Sequence, residues 1–279
     1  VIVQTPIYPP FFHAPVQMDR KVLKNPLKQL EDGTYTFDFE QLRSKITHKT
    51  KLLLLSSPHN PVGRVWRKEE LSNLLAICKE HNILVFSDEV HCDLVYGKHK
   101  HIPFCSLDGA KDRTITAIGV GKTFNMAGFA VSTIAVPSNL VQQFKKAYDN
   151  VHFAQGNILS HVAFEIAYKE GEVWLNDLLT HLYNNYAMLQ KLCKKYSDFI
   201  SLTPIEGTYL AWLDCRKMGL NDKKLRQWFV EEAKLGLSAG LGFGKEGSGF
   251  MRLNFAVSSA TMTQIILQLE NALQRIQKQ

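Results

Sequence analysis

Short apolar runs separated by helical patterns occupy the first two-thirds of the chain. Residues 1–4, 52–55, 83–87, 114–118 and 131–136 are strand candidates, and each is short and apolar on both faces. Strands of this kind belong to a parallel sheet that helices cover on both sides. We therefore expect an α/β fold that is built on a mostly parallel sheet.

Helical patterns lie between and after these strands. Residues 68–82 place Leu71, Leu74, Leu75 and Cys78 on one face of an amphipathic helix. Further helices are predicted over residues 140–149, 158–169, 172–196, 222–234 and 261–277, and further strands over residues 209–214 and 250–256. Gly171 is expected to separate two of the helices.

The chain length of 279 residues corresponds to one or two domains. Long helices dominate from about residue 158 onward, which predicts a large domain over residues 1–180 and a smaller α+β C-terminal domain over residues 181–279. With 45% hydrophobic and 21% charged residues, the composition excludes disordered, collagen-like and disulfide-scaffold proteins. The apolar runs are too short to span a bilayer, so no membrane partner is expected.

The net charge of +7 arises from 33 basic and 26 acidic residues that are spread along the chain. The densest basic run, residues 98–101, is short, which favours a solvated basic surface over a nucleic-acid partner. The five cysteines are an odd number without CxxC spacing. This pattern indicates free, buried thiols in a reducing compartment, so a cytoplasmic location is expected.

Three strand candidates are followed by side chains that carry chemistry. Asn60, Asp88 and Lys122 each come shortly after the end of one strand. Ligands of open α/β sheets bind at the carboxyl ends of the strands. We therefore expect an amide, a carboxylate and an amine to converge at one edge of the sheet.

The triplet Gly121-Lys122-Thr123 is similar to the end of a phosphate-binding loop, but the rest of that motif is missing. The motif requires a glycine five residues before Gly121, where this chain has Thr116. The acidic strand also precedes the lysine loop instead of following it. Nucleotide hydrolysis is therefore excluded.

An amine, a carboxylate and an amide at one edge fit pyridoxal 5'-phosphate (PLP) as a cofactor. A lysine forms a Schiff base with PLP, releases it to the incoming amine and then acts as a base at the substrate Cα. A buried carboxylate such as Asp88 favours the protonated ring nitrogen. An amide such as Asn60 can form a hydrogen bond with the phenolic oxygen of the ring.

Three motifs resemble those of fold-type-I PLP-dependent enzymes of the class I/II aminotransferase superfamily. They are residues 57–63 (SPHNPVG), 87–91 (SDEVH) and 122–128 (KTFNMAG). Residues 5–8 (TPIY), 60–66 (NPVGRVW), 207–214 (GTYLAWLD) and 249–254 (GFMRLN) are similar, more narrowly, to the cystathionine β-lyase branch of MalY/PatB-type C–S lyases. The resemblance runs in order over essentially the whole chain. It implies a PLP-dependent transferase-like large domain with a mixed, mostly parallel sheet.

The resemblance implies roles for the three converging residues. Lys122 would be the Schiff-base lysine and the Cα base. Asp88 would pair with the pyridinium nitrogen, and Asn60 would bond the phenolic oxygen.

The resemblance also implies roles for three further residues. Tyr8 would stack on the cofactor ring, and His91 would lie near its phenolic oxygen. Arg252 would clamp the substrate carboxylate, because its planar fork suits bidentate binding. His91, Cys92 and Asp93 are consecutive and do not converge easily, so no metal site is expected.

Several positions depart from the family pattern. Gly119 and Gly121 stand where the family usually places hydroxyl residues that hold the phosphate, so we expect weaker phosphate binding that rests on backbone N–H groups. Ala130 replaces an arginine of many aminotransferases, which this lyase branch often lacks. The family also has a segment before the first strand, with an arm, a phosphate-binding turn and a tyrosine for the partner subunit's site. By this comparison the chain looks N-terminally truncated.

The resemblance implies a PLP-dependent carbon–sulfur β-lyase that cleaves cystathionine or cysteine conjugates to a thiol, pyruvate and ammonia. It also implies a homodimer. An aminotransferase on the same fold is the first alternative, because the early steps are shared. A truncated, non-catalytic homologue is the second alternative, because Gly119 and Gly121 replace the hydroxyl residues and the front segment is missing.

Overall fold

The computed structural model describes residues 1–151 and 157–277. Its strands are β1 (Ile2–Thr5), β2 (Leu23–Pro26), β3 (Lys28–Gln29), β4 (Tyr35–Thr36), β5 (Leu52–Ser56), β6 (Leu84–Asp88), β7 (Thr114–Ile118), β8 (Thr133–Ala135), β9 (Ser201–Leu202), β10 (Leu210–Asp214), β11 (Ser238–Ala239) and β12 (Phe250–Asn254). Its helices are α1 (Pro10–Gln17), α2 (Phe39–Lys45), α3 (Lys68–Glu80), α4 (Val120–Thr123), α5 (Val141–Asn150), α6 (Ile158–Glu170), α7 (Glu172–Lys195), α8 (Asp222–Glu231) and α9 (Ser259–Gln277).

The larger sheet has six strands in the order β2-β1-β5-β6-β7-β8. All neighbours from β2 to β7 are parallel, and the register places Leu53 between Ile2 and Val85. All three side chains are buried, as parallel strands covered by helices require. The predicted mostly parallel sheet is therefore confirmed.

The last strand of this sheet is antiparallel and exposed. β8 pairs with β7 in the antiparallel direction, and its three residues are all exposed to solvent. The prediction that the run 131–136 is buried on both faces is therefore wrong. The physical reason is that β8 lies at the edge of the sheet, and the next helix, α5, buries no side chain within the described part of the chain.

Helix α3 forms on the predicted pattern. The four apolar residues that the spacing placed on one face are all buried in the core beneath the larger sheet. The carboxylate of Glu70 accepts a hydrogen bond from the backbone N–H of Arg67 at 2.9 Å, which satisfies one free donor at the start of the helix. The helix therefore begins at Lys68, as predicted.

Five elements between β1 and β5 were not predicted, namely α1, β2, β3, β4 and α2. Helix α2 illustrates the reason. Its start is capped by Asp38, whose carboxylate accepts the backbone N–H of Gln41 at 3.0 Å. The helix has seven residues and buries only Leu42, so it has no apolar periodicity from which it could be predicted.

The smaller sheet has the order β11-β12-β10-β9 and is antiparallel throughout. Helices α7, α8 and α9 contribute Leu189, Phe229 and Leu273 to the core beside it. Helix α7 runs without a break through residue 180, where the sequence predicted a domain boundary. The division into residues 1–180 and 181–279 stays a prediction.

Apolar side chains are exposed along β8, α5, α6 and the first half of α7. The exposed apolar face, as we name it, comprises Phe129, Ile134, Tyr148, Val151, Ile158, Leu159, Val162, Ile166, Tyr168, Val173, Trp174 and Tyr183. Helices α6 and α7, which carry most of these residues, pack against each other, and contiguous exposed apolar side chains mark interaction surfaces. This face is therefore a candidate contact surface of the molecule.

All five cysteines are free thiols, and Cys78, Cys193 and Cys215 are buried. Burial raises the pKa of Cys78 and of Cys193 to about 12, so these thiols are unreactive at neutral pH. Among residues 1–151 and 157–277, no helix combines the length and the apolar character that crossing a membrane requires.

Replacing Leu53 by alanine is expected to lower the free energy of unfolding by about 2–5 kcal/mol, because a cavity is left in the middle of the larger sheet. Equilibrium urea unfolding measures this loss. Leu267→Ala is the matched control, since that side chain is 54% exposed and a change within about 0.5 kcal/mol is expected. Equal losses in both variants would contradict the central position of β5.

Candidate active site

The loops after β5, β6 and β7 meet at one edge of the larger sheet and enclose a cavity of about 280 Å³. The cavity is lined by Tyr8, Ser56, Asn60, Asp88, Val90, His91, Lys122, Tyr209, Leu210, Arg252 and Asn254. All six residues that the sequence singled out are among them. The predicted convergence of an amide, a carboxylate and an amine is confirmed, because parallel strands end at the same edge of a sheet.

Asp88 is the last residue of β6 and contributes a poorly solvated carboxylate. Burial raises the pKa of Asp88 to about 6, and the neighbouring Glu89 carboxylate adds to the rise. The backbone N–H of Val90 donates to Oδ1 of Asp88 at 3.2 Å and offsets the rise only in part. A cationic ligand group placed against Asp88 would therefore be bound favourably.

Glu89 follows Asp88 in the sequence and is buried. Its Oε1 accepts hydrogen bonds from the Ser87 hydroxyl at 2.7 Å and from the backbone N–H of Phe104 at 2.9 Å. Its Oε2 accepts from Nε2 of His101 at 2.8 Å. A buried carboxylate needs such donors to be tolerated. These three bonds fix the turn that follows β6.

Lys122 stands on α4, a single helical turn that follows β7. Its side chain is exposed, whereas Val120 and Thr123 of the same turn are completely buried. A single turn is not stable by itself. The two buried residues therefore hold the turn against the protein, and the lysine amine is presented to the cavity.

Gly119 and Gly121 allow the chain around Lys122 to pack closely. A Cβ atom at Gly119 would lie 3.3 Å from the Cβ of Ser132, and one at Gly121 would lie 3.3 Å from the Cα of Ala127. Contacts this short would force the neighbours to shift. The close approach gives a physical reason for glycine at these two positions. The expected weakening of phosphate binding stays a prediction.

Arg252 and Asn60 are joined by a hydrogen bond in which Nη1 of the guanidinium donates to Oδ1 of the amide at 2.9 Å. Arg252 lies on β12, and its guanidinium carbon is 4.6 Å from the ring centroid of Phe243. Burial lowers the pKa of Arg252, yet a guanidinium remains protonated at neutral pH. Since Oδ1 of Asn60 is engaged, its Nδ2 group remains as a donor to a ligand.

His91 contributes a neutral imidazole to the cavity. Burial lowers the pKa of His91 to about 3, and the positive charges of Lys122 and Arg252 add to the effect. Its ring meets that of Tyr209 edge-on, with centroids 5.5 Å apart. Nδ1 of His91 is buried and has no hydrogen-bond partner among the described residues. Tyr8, which follows β1, lines the same cavity and is 43% exposed.

A buried ion pair behind the cavity joins two segments that are distant in sequence. Nη1 of Arg64, in the loop after β5, pairs with Oε2 of Glu206, which lies shortly before β10. The backbone N–H groups of Glu206 and Gly207 both donate to the carbonyl oxygen of Gly63, at 3.0 and 2.9 Å. The loop after β5 and the start of β10 are therefore held together.

A second cavity of about 290 Å³ shares Lys122, Tyr209 and Asn254 with the first. Its other lining residues are Gly121, Asn125, Trp174, Leu178, His181, Leu182, Ala256, Val257 and Ser258. Several of these side chains are apolar. A ligand held at Lys122 therefore has space on two sides of the lysine.

Tyr209 and Asn254 line the cavity although neither was predicted from the sequence. Asn254 stands two residues after Arg252 on β12, so strand alternation places both side chains on one face. That spacing could have identified it. Tyr209 directly precedes β10, and the pairing of Leu210 with Asn254 brings it to the site. This pairing has no local signal in the sequence.

The sequence matches the profile of the class I and II aminotransferases over residues 1–269. The chain belongs to the aminotransferase class I and II family. Cystathionine β-lyase PatB of Bacillus subtilis is 37% identical over 276 residues, which cover 98% of this chain and 71% of PatB. Aminotransferases are also among the curated relatives, at 24–28% identity.

Solved structures of this family confirm the fold. Cystalysin from Treponema denticola, whose crystal structure contains PLP, has a TM-score of 0.95 and 33% identity, over 99% of this chain and 70% of cystalysin. The PLP-bound C–S lyase from Staphylococcus hominis has a TM-score of 0.89 and 32% identity, over 98% of this chain and 71% of the lyase. The predicted family, its lyase branch and the fold-type-I architecture are confirmed.

Asp88→Asn is expected to stabilise the ligand-free protein at pH 8 by about 1–3 kcal/mol. The pKa of Asp88 is about 6 in the native state and ordinarily 3.8, so its ionised form destabilises the native state. This destabilisation is absent below about pH 4, grows as the pH rises and is complete above about pH 6. Urea unfolding at pH 4, 6 and 8 measures the difference.

The exposed Asp177 provides the control for this titration, since Asp177→Asn removes one carboxylate without changing a buried group. The free energy of unfolding of Asp177→Asn is expected to lie within about 0.5 kcal/mol of that of the unsubstituted protein, as for other surface substitutions. If Asp88→Asn and the unsubstituted protein are equally stable at pH 8, the ionised Asp88 carboxylate is not destabilised by burial.

Proposed function

We propose that this protein is a PLP-dependent carbon–sulfur β-lyase that acts on cystathionine or cysteine conjugates. The observation that carries the proposal is the placement of Lys122, Asp88, Asn60 and Arg252 around one cavity. These residues supply an amine, a carboxylate, an amide and a guanidinium. The similarity to PatB and to the Staphylococcus hominis lyase, each over 98% of this chain, supports the same activity.

The residues of the cavity fit PLP. The Asp88 carboxylate, whose charge is destabilised by burial, would pair with a protonated ring nitrogen. Asn60 would donate from Nδ2 to the phenolic oxygen, because its Oδ1 already accepts from Arg252. His91, whose buried Nδ1 has no partner among the described residues, lines the same cavity. Tyr8 would stack on the ring.

PLP, when bound, draws electrons away from the substrate Cα, so that the Cα–H bond and then the Cβ–S bond can break. Lys122 would hold the cofactor through its side-chain nitrogen, release it to the substrate amine and take up the Cα proton. The planar fork of Arg252 would bind the substrate carboxylate bidentately. In the ligand-free protein His91 is neutral at pH 7, since burial lowers its pKa to about 3.

The products of this reaction are a thiol, pyruvate and ammonia, with one water consumed. A lyase of this kind needs no amino-group acceptor, whereas an aminotransferase must pass the amino group to a 2-oxo acid. The two activities therefore differ in the products that accumulate without an acceptor.

The larger organisation of the protein is also part of the proposal. The separate six-stranded and four-stranded sheets support a large domain over residues 1–180 and a small domain over residues 181–279. The five free cysteines support a cytoplasmic location. The exposed apolar face supports a homodimer.

Lys122→Ala is expected to lower the release of thiol and pyruvate from cystathionine by about 10³-fold or more, because Lys122 supplies the amine of the cavity. Assays of both products with purified protein and added PLP measure the loss. Lys145→Ala on α5 is the control, since this exposed lysine does not line the cavity, and unchanged rates are expected. Unsubstituted protein that transfers amino groups to a 2-oxo acid without forming pyruvate is an aminotransferase. Unsubstituted protein that releases neither thiol nor pyruvate from cystathionine contradicts the proposed activity.

Sedimentation velocity is expected to give a species of twice the 31.7 kDa chain mass. Val162→Asp is expected to shift this species towards monomer, because a charge in a buried contact is costly. Leu267→Asp on α9 is the control, as it adds the same charge at an exposed apolar residue outside the exposed apolar face. A protein that stays monomeric at all concentrations contradicts the homodimer.

A further inference from the structure

The single turn that carries Lys122 is tied to the loop after β6 by a hydrogen bond. Oγ1 of Thr123 donates to Oδ2 of Asp93 at 2.8 Å, and Thr123 is completely buried. The hydroxyl of Tyr168, on α6, donates to the same carboxylate oxygen at 3.0 Å. One carboxylate therefore binds both the turn of Lys122 and the neighbouring helix.

The other contacts of this turn are less directional. Phe124, which follows Thr123, packs edge-on against Tyr168 and at a tilt against Trp174, with ring centroids 5.5 and 5.8 Å away. Gly171 provides the space, since a Cβ there would lie 2.5 Å from the Phe124 ring. Aromatic packing holds the chain in place, but a hydrogen bond also restricts orientation.

Within α4 the hydrogen bond of Thr123 has no substitute. Val120 is buried but apolar, and Gly121 has no side chain. Lys122 itself must keep its amine free for chemistry. Thr123 is therefore the residue of the turn whose side chain can fix its orientation by a hydrogen bond into the protein.

We propose that Asp93 is a positioning residue that sets the place and direction of the Lys122 amine through Thr123. The inference rests on the proposed function of Lys122. Hydrogen bonds to a carboxylate are stronger than those between neutral groups. Loss of this bond would let the turn rotate, and a displacement of about 1 Å at a reacting group costs on the order of 10²-fold in rate. Tyr168 holds the carboxylate from the side of α6.

Thr123→Val and Thr123→Ser form a matched pair that separates the hydroxyl from the packing. Thr123→Val keeps the shape but removes the donor, and is expected to lower kcat by about 10- to 100-fold with KM changed by less than about threefold. Thr123→Ser retains the hydroxyl and is expected to keep kcat within about threefold of the unsubstituted protein. Equal kcat values for the two variants overturn the proposal.

A double-mutant cycle tests whether Asp93 acts through Thr123. Asp93→Ala removes the acceptor of the Thr123 hydroxyl and alone is expected to lower kcat. Adding Asp93→Ala to Thr123→Val is expected to lower kcat by less than about twofold further, because the second change removes a bond that is already lost. Losses that multiply in the double variant overturn the proposal, since Asp93 would then act by another route.

Hydrogen exchange in the cofactor-free protein provides a readout that does not depend on activity. The backbone amides of residues 120–124 are expected to exchange about tenfold faster in Thr123→Val and in Asp93→Ala, while those of α3 stay unchanged. If Thr123→Val does not fold, Asp93→Ala decides the outcome. Unchanged exchange at residues 120–124 overturns the proposal.

Capture of PLP separates this inference from the proposed function of Lys122. The cofactor-free chain is mixed with PLP and treated with borohydride, and the mass gained at Lys122 is followed with time. An unsubstituted chain that gains no mass at Lys122 would refute the role of Lys122 itself. If the unsubstituted chain gains mass at Lys122 and Thr123→Val does so at the same rate, with unchanged kcat, only the positioning role fails.

Discussion

A buried ion pair between Arg64 and Glu206 holds together parts of the site that come from segments 142 residues apart. Removing Arg64 would deprive the buried Glu206 carboxylate of its guanidinium partner, which costs about 3–5 kcal/mol. Removing Glu206 would leave Arg64 paired with Glu70, whose Oε2 lies 2.8 Å from Nη2 of Arg64. The pair is embedded in further bonds, since Glu206 also accepts the backbone N–H of Val65 and Nε of Arg64 donates to the carbonyl of Tyr35, both at 2.9 Å. The position of Asn60 relative to the start of β10 therefore depends on this junction.

The cavity collects groups whose charged forms are disfavoured by burial. The pKa of Asp88 is raised, whereas the pKa values of His91 and Arg252 are lowered, and burial is the largest cause in each case. Shifts of this kind cluster at functional sites, because the same low polarity strengthens interactions with a ligand of complementary charge. Burial of these groups therefore destabilises the ligand-free protein at this edge of the sheet. A bound ligand that pairs these groups would raise its stability.

The elements that the sequence predicted well are those that carry their own pattern, such as α3 and the parallel strands. The convergence of Asn60, Asp88 and Lys122 followed from them, because strands of one parallel sheet end at a common edge. Tyr209 was missed because its place depends on the pairing of β10 with β12, which has no local signal. The exposure of β8 was missed because the burial of a strand depends on what covers it. The roles of Tyr8, His91 and Arg252 came from family resemblance alone. Those of Lys122, Asp88 and Asn60 also followed from the chemistry of an amine, a carboxylate and an amide at one edge of the sheet.

The close packing at Gly119 and Gly121 restricts which side chains these two positions can carry. A serine at 121 would require Ala127 to yield by a few tenths of an ångström, and one at 119 would make the same demand on Ser132. Gly121 directly precedes Lys122 on α4, so such shifts would reach the amine. Whether a hydroxyl side chain is tolerated at these positions therefore depends on how far Ser132 and Ala127 can move. Substitutions at 119 and 121 are thus coupled to residues 132 and 127.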